Sequence, residues 1–439
     1  MRCPSFEESM SSIVGNLKND LRSESPTGAV PCAVGFYFAF RIMAVLVSVR
    51  IFGTEPQTGT GINIAVDFSL LLVTAFCSVG NARYPFRQIA KLPGVRWALL
   101  FLGFSCCSLL WSSTATLTNS IAYWCAMATD FMIVAMLLRT GPLAEVSDSL
   151  MKGFVWGACA VAIVAWLMPA QSDLRLGDEE LLGANQIGYV CAFAFFFAQY
   201  LMRMKKANWG APALLLAITL LRTLSKTTIV AFVIGEGFLL IRDKSISRRT
   251  KILVALTAVA ILAVFSGLLA SYYVVYTNAG NQSETLTGRF SIWAYFLAEA
   301  VEQPWIGHGF DSAWNVIPPF GPDQFEAAHA HNEILQQFYA YGLVGIVMFI
   351  GIYSSIYRHI RRLAAGPVKT FFLAFLLFVL VRGIADTERL DLSLPLWAIV
   401  MVSLLVEHAR ATDDDAIAES LARRTYAVYL DILPQTGKI

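Results

Sequence analysis

Apolar residues run along this chain in long unbroken blocks, divided by short polar connections. The blocks hold about 15–25 residues, enough for a helix to cross a hydrocarbon core about 30 Å thick. They do not alternate apolar and polar positions, which excludes a membrane β-barrel. The pattern predicts an all-α polytopic membrane protein of twelve spans, near 30–53, 60–80, 95–111, 119–138, 150–170, 185–202, 209–221, 227–241, 252–275, 335–357, 370–386 and 391–408. The seventh and eighth are short enough to be one broken pair. Residues 1–28 are polar and Ser-rich, without the short apolar run of a cleavable signal peptide. The expected organisation is an N-terminal segment 1–28, a membrane domain 29–408 interrupted by one long loop, 276–334, and a tail 409–439.

Composition agrees. The chain of 439 residues is 56% hydrophobic and 15% charged, with mean hydropathy +0.59; soluble domains are about 25% charged. A disordered chain, a disulfide scaffold and an ordinary soluble enzyme are excluded. The eight cysteines, Cys3, Cys32, Cys77, Cys106, Cys107, Cys125, Cys159 and Cys191, form no C-x-x-C pair and fall mostly inside apolar blocks. They read as small hydrophobes, and no metal site is expected. A net charge of +2 gives no reason to expect nucleic acid.

Basic residues orient the helices. One alternate set of connections carries Arg83, Arg87, Lys91, Arg96, Arg139, Arg203, Lys205, Lys206, Arg242, Lys244, Arg248, Arg249, Lys251, Arg358, Arg361, Arg362 and Lys369. The opposite set is nearly free of them. Its longest member, 276–334, holds one cation, Arg289, against seven acidic residues. By the positive-inside rule both termini are cytoplasmic and the long loop is outside. The chain shows no internal repeat, and its one long loop lies outside between spans nine and ten. A transporter built of two six-helix halves would carry a central cytoplasmic loop instead.

Several polar residues stand where they are costly. Arg41, Asp67 and Asp130 sit well inside spans, where charges pair or serve function; Arg41 and Asp67, on neighbouring spans, are the expected pair. On the cation-poor outer face, Arg222 and Lys226 frame the link between spans seven and eight. If that link is helical, their spacing puts both on one face. Ser225 is placed to cap the next helix, and backbone N–H groups beside cations make an anion site. Arg382 and Arg389 flank the outer end of span eleven. The long loop ends in Ala328-His329-Ala330-His331-Asn332-Glu333. Either histidine is a candidate general base, and Asn332 is placed to cap span ten. A His-x-His pair also suits a metal, but no convergent carboxylate or cysteine set accompanies it.

These residues fall into a recognisable order. Thr287-Gly288-Arg289 with Trp293 resembles a T-G-R-x-x-x-W element. Gln303 to Phe310 resembles P-x-x-G-x-G-F, and His331-Asn332, Leu335 and Gly342 to Gly345 resemble H-N-x-x-L…G-x-x-G. Ser225-Lys226 resembles an S-R/K pair. Together they resemble the bacterial O-antigen ligase and Wzy-type polysaccharide polymerase superfamily, densely over about 220–350. The resemblance implies a GT-C-type membrane glycosyltransferase needing neither nucleotide sugar nor metal nor other cofactor. It implies a glycan carried on undecaprenyl diphosphate, an acceptor glycan, and a site on the periplasmic side of the inner membrane. A chain-length regulator, a flippase and membrane lipid are the further partners expected. In the family pattern the S-R/K cation and the Arg of T-G-R meet the diphosphate, hence Lys226 and Arg289; His331 matches the essential His, and His329 does not. Lys226 stands where many members have Arg, and an ammonium lacks the guanidinium's bidentate geometry. Arg222, Arg382 and Asn332 complete the expected substrate-binding set. Leu110-Trp111-Ser112-Ser113 and Gly307-His308-Gly309-Phe310 with Trp314 look closer to exopolysaccharide polymerases. A polymerase is therefore the first expectation, a ligase acting on lipid A–core the second, and a lipid-linked glycan transporter a remote third.

The charge bias makes one topological prediction. Reporter fusions at 282 and 420 should signal from opposite sides of the membrane; signals from the same side would overturn the twelve-span arrangement.

Overall fold

The computed structural model describes residues 26–387, apart from 82–84, 91–92, 170, 172–174, 179–180, 206–207, 245, 265–266, 268–269, 271–285 and 313–328. Among the described residues the regular structure is helical, with one isolated bridge between Asp178 and Leu182. In chain order the helices are α1 (Pro26–Phe40), α2 (Ile42–Arg50), α3 (Pro56–Asn81), α4 (Phe86–Ala90), α5 (Pro93–Ser108), α6 (Leu117–Leu137) and α7 (Leu143–Leu167). They continue as α8 (Ala184–Lys205), α9 (Gly210–Thr223), α10 (Lys226–Arg242), α11 (Arg248–Val264), α12 (Leu286–Ala300), α13 (Glu333–Arg362) and α14 (Pro367–Gly383).

Eleven of the twelve expected spans coincide with helices or helix pairs, the ninth, 252–275, only in its first part, where α11 lies; the twelfth, 391–408, the tail 409–439 and residues 1–25 lie outside the described residues. Length is more restrictive. Among the described residues, five helices can cross a membrane by length and composition, or six if the bent pair α1–α2 is one span. At 1.5 Å per residue, α5, α9, α10 and α14, of 14–17 residues, are shorter than a full crossing requires. Within the long loop 276–334 the structure has a helix, α12. Large apolar side chains project outward, Phe76 at 83% exposure and Leu72 at 71%, as expected of a membrane protein whose solvent is lipid.

The tightest packing joins α1 to α7. A Cβ on Gly153 would lie 1.9 Å from the Cys32 carbonyl oxygen, and one on Gly35 would lie 2.1 Å from that of Leu150. Small residues let the two backbones approach, a habit of helices in lipid. Phe193, Phe196, Phe371, Phe375 and Phe378 interlock α8 with α14.

The α1–α2 pair bends by 63° around Arg41. Arg41 pairs with Asp130 of α6 at 2.6 Å, rather than with the expected Asp67. Asp67 is buried beside this pair, close enough for its charge to act on both. The Asn63 amide bonds the Arg41 carbonyl at 3.2 Å, satisfying an acceptor at the bend.

The second break is in α13. Gly342 has φ +61° inside the helix, and a Cβ there would meet Trp305 backbone at 2.4 Å. The turn 303–309 docks against this break. Leu343 N–H donates to Pro304 O at 2.8 Å, Val344 N–H to Trp305 O at 3.2 Å, and His308 and Gly309 N–H to Tyr339 O and Ala340 O at 2.9 and 2.8 Å. The P-x-x-G-x-G-F and G-x-x-G elements are thus two halves of one contact.

The Arg41 centre holds one cation against two buried carboxyl groups. Arg41→Met leaves both without a cation, whereas Asp130→Asn leaves Asp67 to balance Arg41. In detergent melts Arg41→Met should be the more destabilising, in the range of about 3–5 kcal/mol typical of a broken buried pair. Equal losses, or the reverse order, would show that Asp67 does not share the centre.

Candidate functional site

Four chain segments meet at the end of α14. The helix stops at Gly383; Ile384 and Ala385 bond back to its last carbonyls, and Asp386 follows them. Arg289, in the first turn of α12, donates to the Ala385 carbonyl and, at 3.1 Å, to the Thr227 hydroxyl. Asn332 donates from its amide to the Ile384 carbonyl at 2.9 Å. Arg382 binds Asp386 at 3.1 Å, and His331 Nδ1 lies 3.9 Å from the other carboxylate oxygen. Arg289, the His331-Asn332 pair and Arg382, from three separate parts of the chain, therefore converge on three consecutive residues.

Local sequence explains the convergence. Arg289 and Trp293 are four apart on α12 and share a face. The Trp293 indole donates to Ala330 O at 2.9 Å, which ties α12 to the histidine segment while Arg289 reaches the turn. Ile292, Phe296 and Ala300 bury the same side of α12 against Ala330 and Tyr339. Asn332 caps α13 as expected, accepting from Leu335 N–H at 2.9 Å. His331, just before it, has φ +50°, a left-handed conformation that costs an ordinary residue about 1–2 kcal/mol.

Three helix N-termini, of α10, α12 and α13, thus meet the C-terminal end of α14. Each N-terminus carries roughly half a positive charge. Lys226 opens α10, where a cation is disfavoured by the helix dipole, and it is exposed. Arg289 adds a second cation and is 8% exposed. Its Nε, although buried, makes no hydrogen bond.

Two local expectations are corrected. The link before Lys226 is not helical: Leu224 is left-handed at φ +57°, so Arg222 and Lys226 do not share a helix face by i,i+4 spacing. Arg222 is half-buried in the last turn of α9. Ser225 occupies the N-cap position of α10, but its hydroxyl bonds the Thr228 hydroxyl at 3.0 Å rather than a backbone N–H. Arg389 and Trp314 lie outside the described residues.

The two histidines differ. His329 Nδ1 accepts the His331 backbone N–H at 3.2 Å. Burial, then His331, push the His329 imidazole down to about 3, with Arg289 and Arg382 acting in the same sense against Asp386. It is neutral at physiological pH with one nitrogen occupied. His331 Nδ1 is buried and makes no hydrogen bond. Burial alone would raise the Asp386 carboxyl; the Arg382 guanidinium bound to it acts in the opposite sense and holds it well below the usual carboxylate range. Asp386 is therefore an ionised group facing His331, as the carboxylate that orients a catalytic histidine must be.

Sequence reasoning missed Asp386, Thr227 and Arg175. Asp386 was hidden at the expected end of a span. Arg175 is 4% exposed and donates to the Thr223 carbonyl at 3.1 Å and to Asn185 at 2.6 Å, beside the α9–α10 link. The signal was available, since Arg175 is a cation on the cation-poor face. Tyr189, under the Arg382 guanidinium at 3.6 Å from ring centre, carried no such signal. Among the described residues no group of three His, Cys, Asp or Glu side chains could hold a metal ion.

Known proteins share this arrangement of sequence. A family model described as O-antigen ligase matches residues 211–350, which hold α10, α12, both histidines and the break in α13. An O-antigen ligase of Pseudomonas aeruginosa is 27% identical over 321 residues, covering 68% of this chain and 74% of the relative. The exopolysaccharide production protein ExoQ of Rhizobium meliloti is 23% identical over 293 residues, covering 61% of this chain and 66% of the relative. The motifs lie where the matching segment lies: residues 211–350 match the O-antigen ligase family, and this membrane protein is similar over most of its length to proteins of polysaccharide production.

Proposed function

We propose that the chain transfers a glycan from undecaprenyl diphosphate to an acceptor hydroxyl at the periplasmic face of the inner membrane. The observation that carries this reading is the convergence of Arg289, Arg382, His331 and Asp386 on the turn after α14. A diphosphate leaving group needs cations held in place before the bond breaks. Arg289 is fixed by Thr227 and Ala385 O with its Nε free of hydrogen bonds. Lys226 and three helix N-termini strengthen the positive potential, and Arg175 supports the α9–α10 link.

His331 takes the proton of the acceptor hydroxyl as the oxygen attacks the anomeric carbon. The bond from that carbon to the phosphate oxygen breaks, and undecaprenyl diphosphate leaves with its electron pair. Asp386 stabilises the imidazolium that forms. Closing the 3.9 Å gap to His331 Nδ1 by about 1 Å makes a hydrogen bond, an adjustment often completed only when substrate is bound. His329 is a positioning residue, its ring centre 3.9 Å from that of His331.

We favour polymerisation of repeat units. The two segments that look closer to exopolysaccharide polymerases form one structural unit: Trp111 donates to Gly307 O at 3.2 Å, Ser112 to Phe310 O at 2.6 Å, and Ser113 N–H to His308 O at 2.9 Å. The relative named for exopolysaccharide production supports the same reading. The relative named O-antigen ligase, with the longer alignment, supports ligation as the second reading.

Purified protein in liposomes, given lipid-diphosphate glycan and acceptor, should form glycosidic bonds. His331→Ala should lower turnover about 10²–10⁴-fold, the usual contribution of a general base, while lipid-diphosphate binding persists. His329→Ala should be milder, and Asp386→Asn should resemble His331→Ala. Arg289→Ala should abolish transfer through donor binding. Full activity of Arg289→Ala would remove it from the site, and a larger loss from His329→Ala would reverse the roles of the histidines.

Chain length separates the two readings in cells. Deletion of a polymerase should leave single repeat units on the carrier or surface acceptor. Accumulation of full-length polymer on the carrier would instead establish the ligase.

A further inference from the structure

The opposite ends of α10 and α14 hold a second charged feature that glycan transfer does not use. A cavity of about 360 Å³ opens between the last turn of α10 and the first turn of α14. Phe238, Leu373 and Pro367 give it an apolar wall, and Arg242, Lys244 and Lys369 line it with positive charge. Asp243, also at this cavity, is ion-paired with Arg203, which offsets its charge. Lys369 donates to the carbonyls of Arg361 and Leu363 at 2.7 and 2.9 Å, which holds its ammonium in place with one of three donors remaining. Arg242 and Lys244 are exposed. The N-cap and first residue of α14, Gly366 and Pro367, line the cavity, so the helix's positive end adds to the same field.

The combination selects its ligand. Three cations suit a phosphate, but an inorganic ion would leave the apolar wall unused. The cavity lies between two apolar helices of a membrane protein, at a level where both helices end. We propose that it binds the headgroup of an anionic phospholipid, with the phosphate among Arg242, Lys244 and Lys369 and the glycerol end against Phe238 and Leu373. Basic pockets between membrane helices are a recurrent solution for such headgroups.

The position gives the site a consequence. Gly235 lets α10 pack directly on α14, where a Cβ would come within 3.1–3.2 Å of Phe378 and the Ala374 carbonyl. At their other ends these two helices carry Thr227 and the Ala385-Asp386 turn. A lipid bridging Arg242 and Lys369 clamps the helix pair on which the candidate site is built. The inference does not depend on which glycan is transferred, or on transfer at all.

The test uses full-length protein in detergent, titrated with phosphatidylglycerol, phosphatidylcholine or inorganic phosphate, with thermal midpoint and native mass spectrometry as readouts. Phosphatidylglycerol should bind and raise the midpoint; phosphatidylcholine and phosphate should not match it. Each basic residue contributes about a fivefold effect near an anionic lipid, so Arg242→Gln with Lys244→Gln should weaken binding about thirtyfold. Arg358→Gln with Arg362→Gln, which removes the same charge from the same end but outside the cavity, should leave affinity unchanged. Equal loss in both double variants would reduce the effect to general surface charge and overturn the proposal, as would an equal response to phosphatidylcholine. A full response to inorganic phosphate alone would overturn the lipid assignment. Should the cavity variant fail to fold, salt dependence of wild-type binding decides: affinity should fall steeply with salt, and salt-independent binding would refute the proposal.

Discussion

In lipid, a backbone group released from a helix must find its partner inside the protein. The most informative features of this structure follow from that constraint. The chain breaks its helices at Arg41, at Gly342 and after Gly383, and each break is answered by a specific donor or acceptor. Asn63 bonds the Arg41 carbonyl. The turn 303–309 supplies four backbone hydrogen bonds at the break in α13. Arg289 and Asn332 serve the carbonyls of Ala385 and Ile384. The third break is also the candidate site, so the residues proposed to handle substrate are held by the hydrogen bonds that end α14.

This double use explains how a cation can wait in a buried position. Arg289 without the Ala385 carbonyl and Thr227 hydroxyl would be a desolvated charge of high cost. With them, it is oriented and still has a donor unused. Arg382 is held in a similar way, stacked over Tyr189 and paired with Asp386. Asp386 in turn faces His331, so arginine, carboxylate and imidazole stand in sequence. Three helix N-termini around this set give the locus its positive character, which suits an anionic leaving group.

The fold was legible to the extent that hydrophobic blocks are long. Eleven expected spans coincide with helices because burial in lipid makes a continuous apolar run, and such a run has few alternatives to helix. Which of those helices are long enough to cross is a finer matter of a few residues, and helix ends are set by contacts. Leu224 shows this: its left-handed turn separates α9 from α10 and breaks the helical spacing that would have aligned Arg222 with Lys226. The helix α12 within the expected long loop forms where Ile292 and Phe296 find Tyr339, a packing decision invisible in one strand of sequence.

The sequence by itself determined the all-helical class, the basic bias between connections and the cap at Asn332, which depend on composition and short spacing, and a chain carries both openly. The resemblance of its motifs to a known family singled out Arg289 and His331 as candidates. Only the tertiary structure decided that Arg41 meets Asp130 rather than Asp67, that Asp386 faces His331, and that His329 has its nitrogen occupied. Partners of buried charges are chosen by which helices pack side by side. That choice depends on the close approach of backbones at positions such as Gly35, Gly153 and Gly235, far in sequence from the charges they bring together.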